Sequence, residues 1–329
     1  MMQRRRLIGT AGLWATWRSA GAQPAGKLHR IGVVVSQFKA ADITGPQTQS
    51  PSVNALLAGL REQGYVYGEN FVTVPRSSEG RPERFPALAA ELVAAQVDVI
   101  VAPGPALPAL QQATSTLPIV MTGSGDPVGQ GFVRSLARPG GNITGLTLQS
   151  LDTVGKRLEL LGELVRPTGP MAVLWDRYNL LLWQEAQAAA RARGWTLLSL
   201  EVRDAGELDA AFARARTARA SALLVLNSGL LDRQAAPIAR LAATQRLPAI
   251  YGLRMYVDHG GLMAYGPDLD DNWRRAAVFV DKILKGARPG ELPVEQPTKF
   301  KLVINLGAAQ ALGLHIPQSL LLRADEVLP

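Results

Sequence analysis

LPIVMTGSGDPVGQGFVRSLARPGGNITG, residues Leu117 to Gly145, holds a whole β/α unit in one stretch. Pro118–Thr122 is an apolar run of the kind buried on both faces of a parallel sheet. Gly123 and Gly125 follow as a glycine-rich loop. Asp126-Pro127 then opens a predicted short helix, because Asp is a favoured N-cap and Pro suits the first helical position. Arg138-Pro139-Gly140-Gly141 ends that helix, and Asn142–Leu146 starts a second extended run. In an open parallel sheet, ligands collect beyond the carboxyl ends of strands, where loops hand over to helices with unpaired N–H groups. Glycines let backbone approach a ligand closely, and Asp126 sets a negative charge at that rim. Two readings of Asp126 stand side by side: a ligand contact, or a helix cap only.

Outward from this stretch the same alternation continues. Upstream, Arg30–Val35 (RIGVVV) reads as a buried strand, and polar, aperiodic residues 36–50 as a long loop. Val53–Gln63 is a helix, with Val53, Leu56, Leu57 and Leu60 at helical spacing and Gly64 as its stop. Phe71–Val74 is a strand, Pro82–Gln96 a helix with Leu88, Leu92 and Val93 inward, and Asp98–Ala102 a strand; Gly104-Pro105 opens another helix. Downstream, helices over Leu151–Val165, Leu181–Arg193, Leu208–Thr217 and Asp232–Thr244 alternate with strands. Those strands are Met171–Trp175, Trp195–Leu200, Ala222–Leu226, Pro248–Tyr251 and Gly261–Tyr265. Two rounds of this rhythm predict an α/β protein of two similar halves, each a parallel sheet wrapped by helices through right-handed crossovers. The tail adds a helix (Asp271–Lys285), a proline-spaced connector (Pro289, Pro293, Pro297), a strand (Lys301–Ile304) and a short helix (Ala308–Leu312). An extra helix and strand after two complete rounds imply that the chain recrosses between the halves.

A chain of 329 residues is long enough for two cores, and 47% hydrophobic with 19% charged residues describes a soluble globular protein. The net charge of +8 is unevenly placed. Arg4, Arg5, Arg6 and Arg18 meet no acid within residues 1–22, so beyond them the balance falls to +4. No basic stripe with interleaved aromatics remains to follow a nucleic-acid backbone, so nucleic acid is excluded as a partner. Residues 1–22 read as an export signal: Arg4–Arg6, the short apolar run Leu7–Trp17, and Ala20-Gly21-Ala22 as a cleavage site before Gln23. The run is too short for a permanent membrane helix. General secretory and twin-arginine export both fit. The absence of cysteine removes disulfides, thiolate catalysis, cysteine metal sites and a lipoprotein anchor, so an exported product is expected free in the periplasm.

Several segments resemble the ABC-transporter substrate-binding family of type I periplasmic binding-protein fold. They are GLREQGYVYGEN (59–70), EGRPERFPALAAELVAAQVDVIV (79–101), ATSTLPIVMTGSGDPVGQGFVRSLARPGGNITGL (113–146), KRLELLGELVRP (156–167), LPAIYG (247–252), GGLMAYGPD (260–268) and residues 280–327. Residues 36–52 and 176–184 match least. The resemblance implies two Rossmann-like lobes joined by three hinge crossings, near 145–150, 265–269 and 292–298. Lobe one is then 28–146 plus 268–294, and lobe two 149–266 plus 296–329. It also implies an ABC permease as partner, a small-molecule ligand trapped by hinge closure, and a monomer. Some relatives bind aromatic amino acids, so an amino acid or related organic molecule is the expected ligand.

Cleft positions in this architecture are the loops after strands, which names the candidate ligand-binding residues. In lobe one these are Ser36 and Gln37, then Gly104, Pro105 and Ala106, then Ser124, Gly125 and Asp126. In lobe two they are Asp176, Tyr178 and Asn179, then Asn227 and Ser228, then Tyr251 and Gly252, with Tyr265 at a crossing. For an amino acid, Asp126 pairs the ammonium. The N–H groups after Gly104, or Ser36 with Ser228, hold the carboxylate, and Tyr178, Tyr251 or Trp175 stack. Singly, each also fits a turn, cap or half-buried aromatic role. Catalysis finds little support. His29, His259 and His315 are far apart in sequence, no GxSxG or GxxxxGK[ST] occurs, and Gly123–Val128 misses GxGxxG at its last position. No cofactor or metal is implied. A ligand-sensing receptor domain is the alternative binding role, with neither a membrane helix after Pro329 nor a helix-turn-helix before the first lobe expected.

Overall fold

The computed structural model describes residues 27–148 and 151–329, apart from the side chains of Asp152 and Tyr178. Residues 1–22, where an export signal is expected, lie outside the described residues, as does part of the crossing expected near 145–150.

The apolar runs of the first half become β1 (His29–Val35), β2 (Phe71–Ser77), β3 (Val99–Ala102), β4 (Ile119–Met121) and β5 (Ile143–Gly145). They form one parallel sheet in the order β2-β1-β3-β4-β5. Strands this apolar need cover on both faces. Helix α1 (Pro51–Glu62) covers one face, and α2 (Phe85–Ala94) with α3 (Leu107–Ala113) the other. Leu88 and Leu92 of α2 are inward as the spacing predicts. Val93 is not: it is 38% exposed, because the α2 stripe facing the sheet is carried by Phe85, Leu88, Ala89 and Leu92.

In the second half, β6 (Met171–Asp176), β7 (Leu197–Val202), β8 (Ala222–Val225), β9 (Ala249–Tyr251) and β10 (Met263–Pro267) run parallel. Helices α4 (Asp152–Leu164) and α5 (Leu180–Arg191) line one face. On the other lie α6 (Leu208–Thr217), α7 (Gly229–Arg233), α8 (Ala235–Thr244) and α9 (Met255–Asp258). The helix expected over Asp232–Thr244 is thus two helices that meet at Gln234, and the first starts early because Ser228 accepts a hydrogen bond from Leu231 N at 3.0 Å.

From β10 the chain leaves the second sheet. Asp268 caps α10 (Leu269–Leu284), accepting from the N–H groups of Asp270 and Asp271. That helix packs on α1 and buries Ala276, Phe279 and Val280 beneath the first sheet. Contact is close because Gly59 has no side chain: a Cβ there would collide with the Arg274 carbonyl oxygen. The return path runs beside the first exit, with Leu146 bridging Glu295. It then enters β11 (Phe300–Asn305), followed by α11 (Leu306–Leu312), α12 (Gln318–Leu321) and β12 (Glu326–Leu328).

The sheets are parallel as expected except at one pair of strands. In the order β12-β11-β10-β9-β8-β6-β7, β11 is antiparallel to β10 and β12 is parallel to β11. The reason is topological: β11 enters the sheet at the end where β10 left it, so the two must run in opposite directions.

The helix predicted after Asp126 also fails to form. Residues 127–131 make a hydrogen-bonded turn, with Gln130 N to the Asp126 carbonyl at 3.1 Å, and the chain then unwinds. Gly131 is left-handed (φ +74°), a conformation in which a right-handed helix cannot continue.

Candidate functional site

Strand order reverses between β1 and β3 in the first sheet and between β6 and β8 in the second. Each reversal opens a crevice beyond the carboxyl ends of its strands, because the crossovers on either side depart to opposite faces. Ser36 and Gln37 follow β1, and Gly104, Pro105 and Ala106 follow β3. Asp176 and Asn179 follow β6, and Asn227 and Ser228 follow β8.

Contact between the two sets of loops is direct. A Cβ built on Gly125 lies 3.7 Å from Ser228 Cα and 4.0 Å from the Asn227 carbonyl oxygen. One built on Gly229 lies 3.1 Å from Gln130 Nε2. The structure therefore brings together Ser124, Gly125 and Asp126 on one side with Asn227 and Ser228 on the other. Gly252 joins them: its Cα lies so near Asn227 that a Cβ would overlap the amide.

Other candidates are placed differently. Ser36 and Gln37 accept through their carbonyls from Ser78 Oγ and Ser77 Oγ, at 3.2 and 3.1 Å, which pins this loop to the one after β2. Gly104 N donates to the Gly123 carbonyl at 2.8 Å, tying the loops after β3 and β4; Pro105 is exposed and Ala106 buried. Tyr251 is fully buried and stacks on Tyr256 at 4.6 Å, so its ring belongs to the core. Trp175 stacks on Trp183 and donates to Ser199 Oγ at 2.9 Å. Tyr265 stacks on Phe300 across β10 and β11. The side chain of Tyr178 lies outside those described. Asp126 Oδ1 accepts from Gly129 N at 2.8 Å, capping the turn rather than a helix.

Sequence reasoning passed over the buried network beneath these loops. Arg157 of α4 is almost wholly enclosed. Its Nη1 donates to Asn227 Oδ1 (2.8 Å) and the Val225 carbonyl (3.3 Å), and its Nη2 to Thr153 Oγ1 (3.2 Å). Burial lowers its pKa to about 10, against the raising effect of Asp232 and Tyr256. Asp232 is half-buried as a residue, but its carboxyl is enclosed. Burial raises its pKa to about 7 and nearby Asp176 adds to this, although the Tyr256 hydroxyl donates to it at 3.1 Å and Arg157 attracts it. Burial likewise pushes the Tyr256 hydroxyl well up, with Asp232 adding to it. A signal for Arg157 was present: it shares the apolar stripe of Val154, Leu158 and Leu161, where a charge without a role is costly.

Two hollows on the surface have charged rims. One of about 310 Å³ is rimmed by Glu62, Arg274, Asp271 and Lys299, and one of about 490 Å³ by Arg177, Glu201, Arg203, Glu207 and Arg214. Their charged rims pair with one another at the surface, in contrast to the enclosed polar groups between the sheets. Among the described residues, no three metal-ligating side chains converge and no helix is long and apolar enough to cross a membrane.

Two α/β sheets with facing carboxyl-end loops and recrossing chain segments define a type I periplasmic binding-protein fold. An ABC domain in complex with L-Trp from Streptococcus pneumoniae is similar at a TM-score of 0.73 and 25% identity, covering 92% of this chain and 100% of that one. The chain belongs to the ABC transporter substrate binding protein family, whose profile matches residues 42–328. A conserved domain protein from Vibrio cholerae is similar at a TM-score of 0.72 and 26% identity, with 92% and 100% of the two chains covered. A tyrosine-binding protein from Clostridioides difficile (strain R20291) is 23% identical over 263 residues, which is 79% of this chain and 75% of that protein. The chain is thus a solute-binding protein of ABC transport.

Proposed function

We propose that this protein encloses an aromatic amino acid between two lobes outside the cytoplasm and hands it, chemically unaltered, to an ABC permease. The observation that carries the reading is the apposition of Gly125 with Asn227 and Ser228, which gathers the carboxyl-end loops of two separate sheets around buried polar groups. The tyrosine-binding relative and the L-Trp complex support the ligand class. Lobe one is 28–146 plus 268–294 and lobe two 149–266 plus 296–329. The crossings near 145–150, 265–269 and 292–298 act as hinges. Residues 1–22 direct export to the periplasm, where the protein works as an unanchored monomer. Asp126 keeps one carboxylate oxygen for the turn and supplies negative charge toward the ligand ammonium.

Titration calorimetry and thermal unfolding with L-Trp and L-Tyr test this. Ligand at about 100 times Kd adds about 2.7 kcal/mol of stability. Small-angle scattering reports a smaller radius of gyration on closure. No stabilisation by any of the twenty amino acids, or turnover of the bound molecule, overturns the reading.

A further inference from the structure

Among the described residues, four buried side-chain atoms have no hydrogen-bond partner: His29 Nδ1, Arg84 Nη1, Asn179 Oδ1 and Asn227 Nδ2. The first two sit beside carboxylates, Asp98 at 3.8 Å and Glu79 at 3.2 Å. The asparagines differ, because each has its other amide atom already committed. Arg157 has only donors, so the Asn227 atom facing it at 2.8 Å is the oxygen, and the free atom is the NH₂ donor. The Asn179 atom facing the Asp176 carboxylate at 3.0 Å is the nitrogen, and the free atom is the carbonyl acceptor. Neighbouring groups therefore determine the chemistry of both free atoms. Asn179 and Asn227 are only 4% and 6% exposed, and an unpaired polar atom in such a place is costly.

Asn179 also declines an easier option. It occupies the N-cap position of α5, where Asn ordinarily accepts from the first turn, yet it makes no capping bond. Ser50, Asp204, Ser228, Asp268 and Asn305 all cap their helices in the usual way. The two asparagines follow the adjacent strands β6 and β8. Register pairs Leu174 of β6 with Val225 of β8, so Asp176 and Asn227, each two residues on, are neighbours at the crevice. Asn179 is tied to the first of them. The Asn227 backbone carbonyl faces the Gly125 loop of the other sheet, and its side-chain amide lies against Gly252 after β9.

We infer that Asn227 and Asn179 grip the head group of an α-amino acid: Asn227 Nδ2 donates to its carboxylate and Asn179 Oδ1 accepts from its ammonium. An α-amino acid carries an anion and a cation on one carbon, which matches a neighbouring donor and acceptor. Arg157 is a positioning residue that holds the Asn227 amide in the orientation with its donor free. The inference rests on the amino-acid reading above and adds the residues that discriminate the head group.

Calorimetry with three probes on the full chain tests it: L-Trp, tryptamine (no carboxylate) and indole-3-propionate (no ammonium). Asn227→Asp exchanges the free donor for an acceptor and keeps the oxygen that Arg157 needs, so the fold is retained. It should weaken L-Trp about 10- to 100-fold and leave tryptamine unweakened. Asn179→Ala should weaken L-Trp about tenfold and spare indole-3-propionate; thermal unfolding checks that both variants fold. Equal losses for all three probes, or no loss for L-Trp, overturn the assignment while leaving the amino-acid reading intact. A wild-type protein that binds none of the twenty amino acids overturns both, and is recognised without any variant.

Discussion

Asp232 offers the sharpest test of the energetics beneath the crevice. An enclosed carboxyl whose pKa rises from 3.8 to about 7 holds its proton in the folded state at pH values where the unfolded chain has released it. Between about pH 4 and 7 the folded state therefore binds more protons than the unfolded one, and stability falls as pH rises, levelling off above about 7. The displacement corresponds to up to about 4 kcal/mol. Asp232→Asn removes the charge but keeps an oxygen for the Tyr256 hydroxyl, and Arg157 retains Asn227, Thr153 and the Val225 carbonyl. Urea unfolding followed by tryptophan fluorescence at intervals from pH 4.5 to 8 gives both stability curves. Other titrations are common to the two proteins, so the difference curve isolates this carboxyl. The variant should gain on the wild type steadily up to about pH 7, reaching a few kcal/mol at pH 8. Parallel curves across that range would refute the claim that the carboxyl is buried at a cost.

Three further substitutions probe close contacts and strain. Gly252→Ala drives a methyl into the Asn227 amide, and calorimetry should find amino-acid binding weakened at least about tenfold; unchanged affinity refutes the contact. Gly59→Ala pushes against the Arg274 carbonyl and the Ala277 methyl (2.8 Å), separating α1 from α10, and should cost about 1–3 kcal/mol in urea unfolding. Phe38 is held at φ +67°, a strained conformation for a bulky residue, by Ser77 Oγ donating to its carbonyl at 2.6 Å. Phe38→Gly should raise stability by about 1 kcal/mol, and a loss in the same assay counts against strain there.

Sequence alone determined the β/α rhythm, both cores, the recrossing of the tail and the family, because burial on two faces of a strand and one face of a helix writes a local period into the chain. It also offered Asn179, Asn227 and Gly252 as candidates for the crevice, since each follows a strand. Tertiary structure alone decided three things. The antiparallel entry of β11 depends on which end of the sheet β10 leaves. The turn after Asp126 replaces a helix because Gly131 adopts a left-handed conformation that local grammar does not demand. The Arg157–Asn227 and Asp232–Tyr256 partnerships join residues 70 and 24 positions apart, and only the packing of α4 against the end of β8, and of α7 against α9, brings them within hydrogen-bond distance. What an amide has free to offer a ligand is set by which of its two ends a distant neighbour has already taken, and no local pattern records that.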